Sequence, residues 1–249
     1  MDFKKIVGKL IFGELTADLE TYGSKVEETI INTLDATPVE YFKDLRSLTN
    51  LKGDDTGFVK VFTAPKLDRV ASLSIDIMPG MRYFNIHIIP DHHYNIPRYS
   101  FEGMVTTKGS QLSMDLYPDM DMIMDFDYID RHFSGVAKVY EKAKKHKLIK
   151  PEPSRLPHMR VLCSPYFLLA NKVPQEALVD MQGFALSYFD QWLKIYQAAE
   201  VLNDSAAEER LARRILIAKT IIENDPDRDK VVDTYGEEKT QLIEKAAML

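Results

Sequence analysis

Apolar positions begin the chain at helical spacing and switch to a two-residue period near residue 58. Ile6, Leu10, Ile11, Leu15 and Leu19 share one helical face, as do Val26, Ile30, Ile31 and Leu34, so residues 3 to about 48 read as helical stretches divided by short breaks. Thr37-Pro38-Val39-Glu40 reads as a helix start, with Thr37 as N-cap, Pro38 in the first turn and Glu40 completing a capping box. The turn-rich run Lys52-Gly53-Asp54-Asp55-Thr56-Gly57 closes this section. The segments Phe58–Ala64, Ala71–Met78, Met81–Ile89, Ser100–Thr107 and Gln111–Tyr117 then read as strands. They are separated by turns at Ala64-Pro65, Pro79-Gly80, Pro90-Asp91 and Lys108-Gly109, the last a hairpin. Parallel strands need crossovers of roughly a dozen residues or more, so links this short predict an antiparallel meander.

Beyond Pro118 the pattern predicts an acidic, Met-rich loop from Asp119 to Asp125 and a helix from about Tyr128 to His146. Pro151 and Pro153 enforce a loop, and Arg160 to Lys172 reads as a strand kinked at Pro165. Three helices close the chain, at about 174–202, 205–223 and 227–248. With no internal repeat and no low-complexity linker, the expectation is one domain over residues 1–249. Its class is α/β: a three-layer α/β/α sandwich with a central antiparallel sheet flanked by helices on both faces.

Composition narrows the function classes. A chain of 249 residues buries roughly three quarters of its unfolded surface and needs no metal or disulfide staple. The single cysteine, Cys163, excludes an intrachain disulfide, fits a reducing compartment and offers no paired spacing for structural zinc. No apolar run approaches the roughly 18 residues of a membrane span, and Met1-Asp2-Phe3-Lys4-Lys5 resembles neither a signal nor a transit peptide. A net charge of −6 argues against broad nucleic-acid binding. Aromatics at 10% and eleven Met suit an apolar ligand cavity and an ordinary core equally.

Dinucleotide, P-loop, nucleophile-elbow and zincin motifs are all missing. His92-His93 reads as a solvated loop pair in preference to a metal site. Four carboxylates remain for proton chemistry. Asp76 (between Ile75 and Ile77) and Asp115 (between Met114 and Leu116) default to a salt bridge or a solvent-facing alternation. Asp225-Pro226 reads as a cap for the helix that follows. Glu102 stands apart: it lies between Phe101 and Gly103 in a stretch that otherwise reads as buried strand, where an acid must be paired, protonated or working.

The run Tyr94-Asn95-Ile96-Pro97-Arg98-Tyr99-Ser100-Phe101-Glu102 resembles the signature of ferredoxin-dependent bilin reductases, in which a Leu-Pro pair precedes the catalytic aspartate at this spacing. Ile89-Pro90 and Met114-Asp115-Leu116-Tyr117-Pro118 fall where that family has strand ends. The red chlorophyll catabolite reductase branch is more similar still, because it carries Glu at the signature position. It also has segments similar to Asp115–Pro118 followed by Asp127-Tyr128-Ile129-Asp130-Arg131, to Arg160 through Ser164-Pro165, and to Asp225-Pro226 with Tyr235-Gly236-Glu237. The likeness runs from about residue 57 to the C-terminus.

What the resemblance implies is reduction of an open-chain tetrapyrrole, a bilin such as biliverdin or red chlorophyll catabolite. Electrons come singly from reduced ferredoxin, without a bound flavin, haem or metal, and radical intermediates are protonated by side chains and water. Glu102 and Asp225 would be the catalytic acids, one on the sheet and one on a helical wall, each held protonated by an apolar setting. Asn85 stands where relatives that reduce the A-ring vinyl group carry histidine, which favours a methine bridge or another ring. Arg98 and Arg160 would pair with pigment propionates. Lys138, Lys142, Lys144, Lys145, Lys147 and Lys150 would steer an acidic ferredoxin, or simply form a solvated helix end. The implied setting is the cytoplasm, or the plastid stroma after loss of a transit peptide, with the protein a monomer or homodimer. A carrier that binds bilin without reducing it is the alternative on the same fold.

Overall fold

A computed structural model describes residues 3–78, 81–106 and 109–248, with the backbone alone for residues 3–18, 78 and 106. The expected turn at Pro79-Gly80, Thr107 and Lys108 of the expected hairpin, and the side chains of Ile6, Leu10, Ile11 and Leu15 lie outside the described residues. Helix α1 (Phe3–Leu34) runs unbroken for 32 residues where the sequence predicts breaks. Gly23, the weakest helix former in its middle, is retained because a Cβ there would lie 2.9 Å from the ring of Phe84. The capping box expected at Thr37 does not form. Thr37–Pro38 is instead a short strand, β1, opposite Thr63 and Phe62. The Val39 N–H goes to Val61 O at 2.8 Å, and a 3₁₀ turn, Glu40–Arg46, follows without a side-chain cap.

The sheet continues with β2 (Leu48–Thr49), β3 (Asp55–Thr63), β4 (Leu67–Met78), β5 (Met81–Pro90), β6 (Arg98–Thr106), β7 (Gly109–Tyr117) and β8 (Leu168–Val173). Its eight strands run in the order β1-β3-β4-β5-β6-β7-β8 with β2 paired to β3, every pairing antiparallel. The meander expected from the short links is therefore present. The expected strand at 160–172 is only half correct. Residues Pro157–Leu162 form a short helix, α3, and the sheet resumes at Leu168. Between them Asp115 on β7 accepts the Ser164 N–H at 2.7 Å and the Ser164 hydroxyl at 2.5 Å, which ties the turn to the sheet.

The remaining helices are α2 (Ser134–Lys144), preceded by a π-helical turn at Ile129–Phe133, then α4 (Leu178–Gln197) and α5 (Asp204–Glu223). The last predicted helix is two, α6 (Arg228–Tyr235) and α7 (Glu237–Ala247), because the chain turns at Gly236 with φ +81°. Helices cover both faces of the sheet. On one face α1 and α4 pack on Phe84, Ile86, Ile88, Tyr99, Phe101, Leu112, Met114 and Leu116. On the other, α6, α7 and the 3₁₀ turn close a smaller core on Val59, Val61, Leu73 and Ile75. Among the described residues no helix is long and apolar enough to cross a membrane.

The ends of β5, β6 and β7 are joined to α5 by one buried carboxylate. Asp119 accepts from Arg98 Nε at 2.7 Å and Arg214 Nε at 3.0 Å, all three side chains being buried. Arg214 also donates to the Pro90 carbonyl, and Arg210 to the Ile96 carbonyl. Burial alone would raise the Asp119 carboxyl, but Arg98, Arg214 and Arg210 outweigh it and hold the group below its ordinary value. A depressed acid stabilises the fold above its unfolded value near 3.8, and that contribution is lost as pH falls through the lower folded value. Asp119→Asn leaves buried guanidiniums uncompensated and is expected to cost about 3–5 kcal/mol in urea unfolding at neutral pH. Lys144→Ala, which removes an exposed, solvent-screened pair with Glu141, is expected to leave the urea midpoint nearly unchanged.

Candidate functional site

Successive strand residues point to opposite faces, so the strands that bury apolar side chains under α1 and α4 must present the alternate positions to the other side. On β5 those positions are Tyr83, Asn85 and His87; on β6 they are Arg98, Ser100 and Glu102; on β7 they are Ser113, Asp115 and Tyr117. This polar floor is buried: Asn85, His87, Ser100 and Asp115 each expose less than a tenth of their surface. Above it lies a cavity of about 330 Å³, within the usual range for small-molecule sites. Its opposite walls come from residues 154–159, the C-terminal end of α5, the 224–228 loop and α7.

Glu102 sits in the middle of the floor, with Asn85 and Ser113 as its strand partners. The run before it is held from outside the sheet. Trp192 Nε1 donates to the Pro97 carbonyl at 2.8 Å, and Arg210 donates to the carbonyl of Ile96 and, at 3.3 Å, to Asn95 Oδ1. These contacts give the Asn95-Ile96-Pro97 segment its physical purpose, since they deliver β6 in the register that aims Glu102 into the cavity. Its carboxylate accepts from Tyr83 Oη at 3.0 Å and Ser100 Oγ at 2.9 Å, and lies 3.6 Å from His87 Nε2. The side chain remains 25% exposed, toward the cavity.

The expectation that an apolar setting holds Glu102 protonated is overturned. Burial does push its carboxyl up, but His87, Ser100 and Tyr83 outweigh that effect and hold it below the ordinary glutamate value. Asp225 behaves in the opposite way. It lies in the loop between α5 and α6, accepts the Asp227 N–H at 2.9 Å and lines the rim of the cavity. Partial burial, together with the charges of Asp227, Glu102 and Glu244, raises its carboxyl above the ordinary value. The expected cap is therefore an Asx-type turn that starts three residues before α6, and the same carboxyl also faces the site.

Asn85 lines the floor, its amide nitrogen 2.9 Å from Tyr83 Oη. Arg98 reaches the cavity wall beside Tyr117, but its guanidinium is engaged by Asp119 within the fold. Arg160 is exposed on α3 and does not line the cavity. Asp76 pairs with Arg82 at 2.9 Å, so its salt-bridge reading holds. Asp115 is fully buried on the floor, where burial raises its carboxyl to about 6 while Ser164 holds both oxygens. The lysine-rich helix α2 packs against α4, in the layer on the far side of the sheet from the cavity. Asp91, His92 and His93 bring ligand-type atoms within 4.8 Å, but Asp91 already accepts from the His93 N–H and ring on an open loop. Tyr83, His87, Ser100 and Tyr117 were not singled out from sequence, although their alternation with apolar residues marks them as one face.

Comparison with known proteins follows the same lines. The family model described as ferredoxin-dependent bilin reductase matches residues 24–244. Among solved structures, phytochromobilin synthase from tomato, determined in complex with biliverdin, superposes with a TM-score of 0.75 at 18% identity, covering 89% of this chain and 79% of that one. No curated protein matches the chain.

The two acids are expected to separate in a carboxyl ¹³C NMR titration, Glu102 below the ordinary glutamate value and Asp225 above the ordinary aspartate value. Glu102→Gln removes a negative charge facing Asp225 and should shift Asp225 downward. Tyr83→Phe removes a donor and should shift Glu102 upward.

Proposed function

This chain belongs to the ferredoxin-dependent bilin reductase family, and on that premise we propose that it reduces one double bond of a linear tetrapyrrole held in the cavity over β5, β6 and β7. The observation that carries the reading is the pair of carboxyls, Glu102 on the floor and Asp225 on the rim, facing one cavity from two walls. Reducing a double bond takes two electrons and two protons. Reduced ferredoxin supplies the electrons one at a time, and the conjugated pigment holds each until a proton follows. The protein contributes binding, orientation and proton delivery.

Glu102 serves the pigment face toward the sheet and Asp225 the face toward the α5–α6 loop. Asn85, which ordinarily stays neutral, offers the pigment an amide where a histidine would offer an exchangeable proton. This supports reduction at a methine bridge or ring over the A-ring vinyl group. The glutamate at position 102 supports red chlorophyll catabolite as a substrate beside biliverdin. Arg98 acts chiefly through Asp119, as a positioning residue for the wall, and Arg160 meets a propionate only outside the cavity.

Anaerobic incubation with reduced ferredoxin and either biliverdin or red chlorophyll catabolite is expected to shift the long-wavelength absorption of at least one pigment toward the blue. Its mass should increase by two hydrogens per reduced bond. Pigment bound with no change in spectrum or mass would leave a carrier. Glu102→Gln and Asp225→Asn should each retain pigment affinity and lower kcat about 10²–10⁴-fold.

A further inference from the structure

A carboxyl that donates a proton has to hold one, and Glu102 is tuned to give its own away. The missing proton has a place nearby. His87, on the floor, has Nδ1 3.3 Å from the carbonyl of Ala247 at the end of α7. A carbonyl oxygen only accepts, so Nδ1 carries a hydrogen in either charge state, and Nε2 is the ring atom that gains or loses one. That Nε2 lies 2.9 Å from Ser100 Oγ, and the same Oγ lies 2.9 Å from Glu102 Oε1. A hydroxyl has one hydrogen and two lone pairs, so Ser100 accepts on one side while donating on the other. As placed, the Asn85 amide nitrogen donates to Tyr83 Oη at 2.9 Å and, 3.1 Å from Nε2, to a neutral ring; turned over, its oxygen accepts from a charged ring, and Tyr83 then donates to that oxygen in place of the Glu102 carboxylate.

We propose that His87 stores the proton that Glu102 delivers, and that the Ser100 hydroxyl passes it between them. In the resting state His87 is an imidazolium and Glu102 a carboxylate, with Nε2–H donating to Ser100 and Ser100 donating to Glu102. For delivery, the Nε2 hydrogen moves to Ser100 Oγ, the Ser100 hydrogen moves to Oε1, and the Glu102 carboxyl so formed gives its proton to the pigment. One proton has then crossed, Glu102 is a carboxylate again, His87 is neutral with Nδ1–H kept, and every electron pair has stayed on its own N or O. His87 is a positioning and proton-holding residue that acts on the pigment through this chain. The inference rests on the reductase reading above and supplies the source of one of its protons.

The other titratable groups facing the pair come from every wall. They are Tyr83 on β5, Arg98 on β6, Asp115 and Tyr117 on β7, His158 on α3, Cys163 after α3, Asp225 and Asp227 in the α5–α6 loop, Arg228 on α6 and Glu244 on α7. Burial raises the tyrosines and the cysteine, which leaves them protonated at neutral pH.

Two measurements test the relay. In the pigment-free protein, ¹⁵N NMR of the His87 ring and ¹³C NMR of the Glu102 carboxyl should show coupled titration. Ser100→Ala should uncouple them. A His87 ring neutral throughout about pH 5–8 overturns the proposal. In turnover, His87→Gln and Ser100→Ala should lower kcat about 10²-fold with KM little changed, and should lose the fall in rate that the wild type shows as pH rises. Ser100→Thr, which keeps the hydroxyl, should recover most of the rate and that pH dependence. Wild-type kcat and pH profile in both disrupted variants, or equal damage from Thr and Ala at position 100, overturns it. If the protein reduces no tetrapyrrole, the functional reading fails, while the NMR titration still decides whether the proton is shared.

Discussion

A slip of one residue in the pairing of β6 would turn Glu102 into the apolar layer under α1 and α4 and put Phe101 into the cavity. Strand geometry allows nothing between these outcomes, because neighbouring residues face opposite ways. The structure guards that register from several sides. Phe84 on β5 packs where Gly23 of α1 and Gly103 of β6 both lack a Cβ; one added at Gly103 would fall 2.6 Å from the ring. Trp192 and Arg210 hold the carbonyls of Pro97 and Ile96 just before the strand begins. The polar floor is therefore a consequence of how the opposite, apolar face is packed.

A second constraint sets the rim relative to the floor. Asp119 binds Arg98 at the start of β6 and Arg214 on α5, and α5 in turn leads into the loop that carries Asp225. Surrounding an ion pair with protein adds little net stability, but breaking one side of it is costly. This cluster acts mainly as a positional lock. Across the cavity it separates, one acid is lowered by donors on its own strands and the other is raised by partial burial and by neighbouring negative charge. The same residue class thus acquires opposite protonation tendencies from its surroundings.

The meander was legible because its strands are short, period-two and joined by links too brief for helices. Glu102 stood out because it interrupts an apolar run, and Asp225 because of its resemblance to a known motif. Other features followed contacts that no local pattern carries. Residues 160–172 have strand-like composition, yet Ser164 is captured by Asp115 and the preceding six residues coil into α3. Thr37-Pro38 has the makings of a helix start, but the ladder to β3 claims it. Arg160 and Arg98 look alike as cations in the sequence, whereas one is exposed on α3 and the other is committed to Asp119.

By itself, then, the sequence determined the antiparallel sheet, the two-faced character of its strands and the position of one acid within them, since all three depend on local periodicity. Only the tertiary structure decided which polar residues share a floor. Tyr83, Asn85 and His87 are two apart on one strand, but Ser100 and Glu102 join them through strand pairing, and Asp225 comes from more than a hundred positions away. It also decided the polarity of each acid and placed the lysine-rich helix on the far side of the sheet. A side chain's charge state is set by whatever packs around it, and that neighbourhood exists only once the chain has folded.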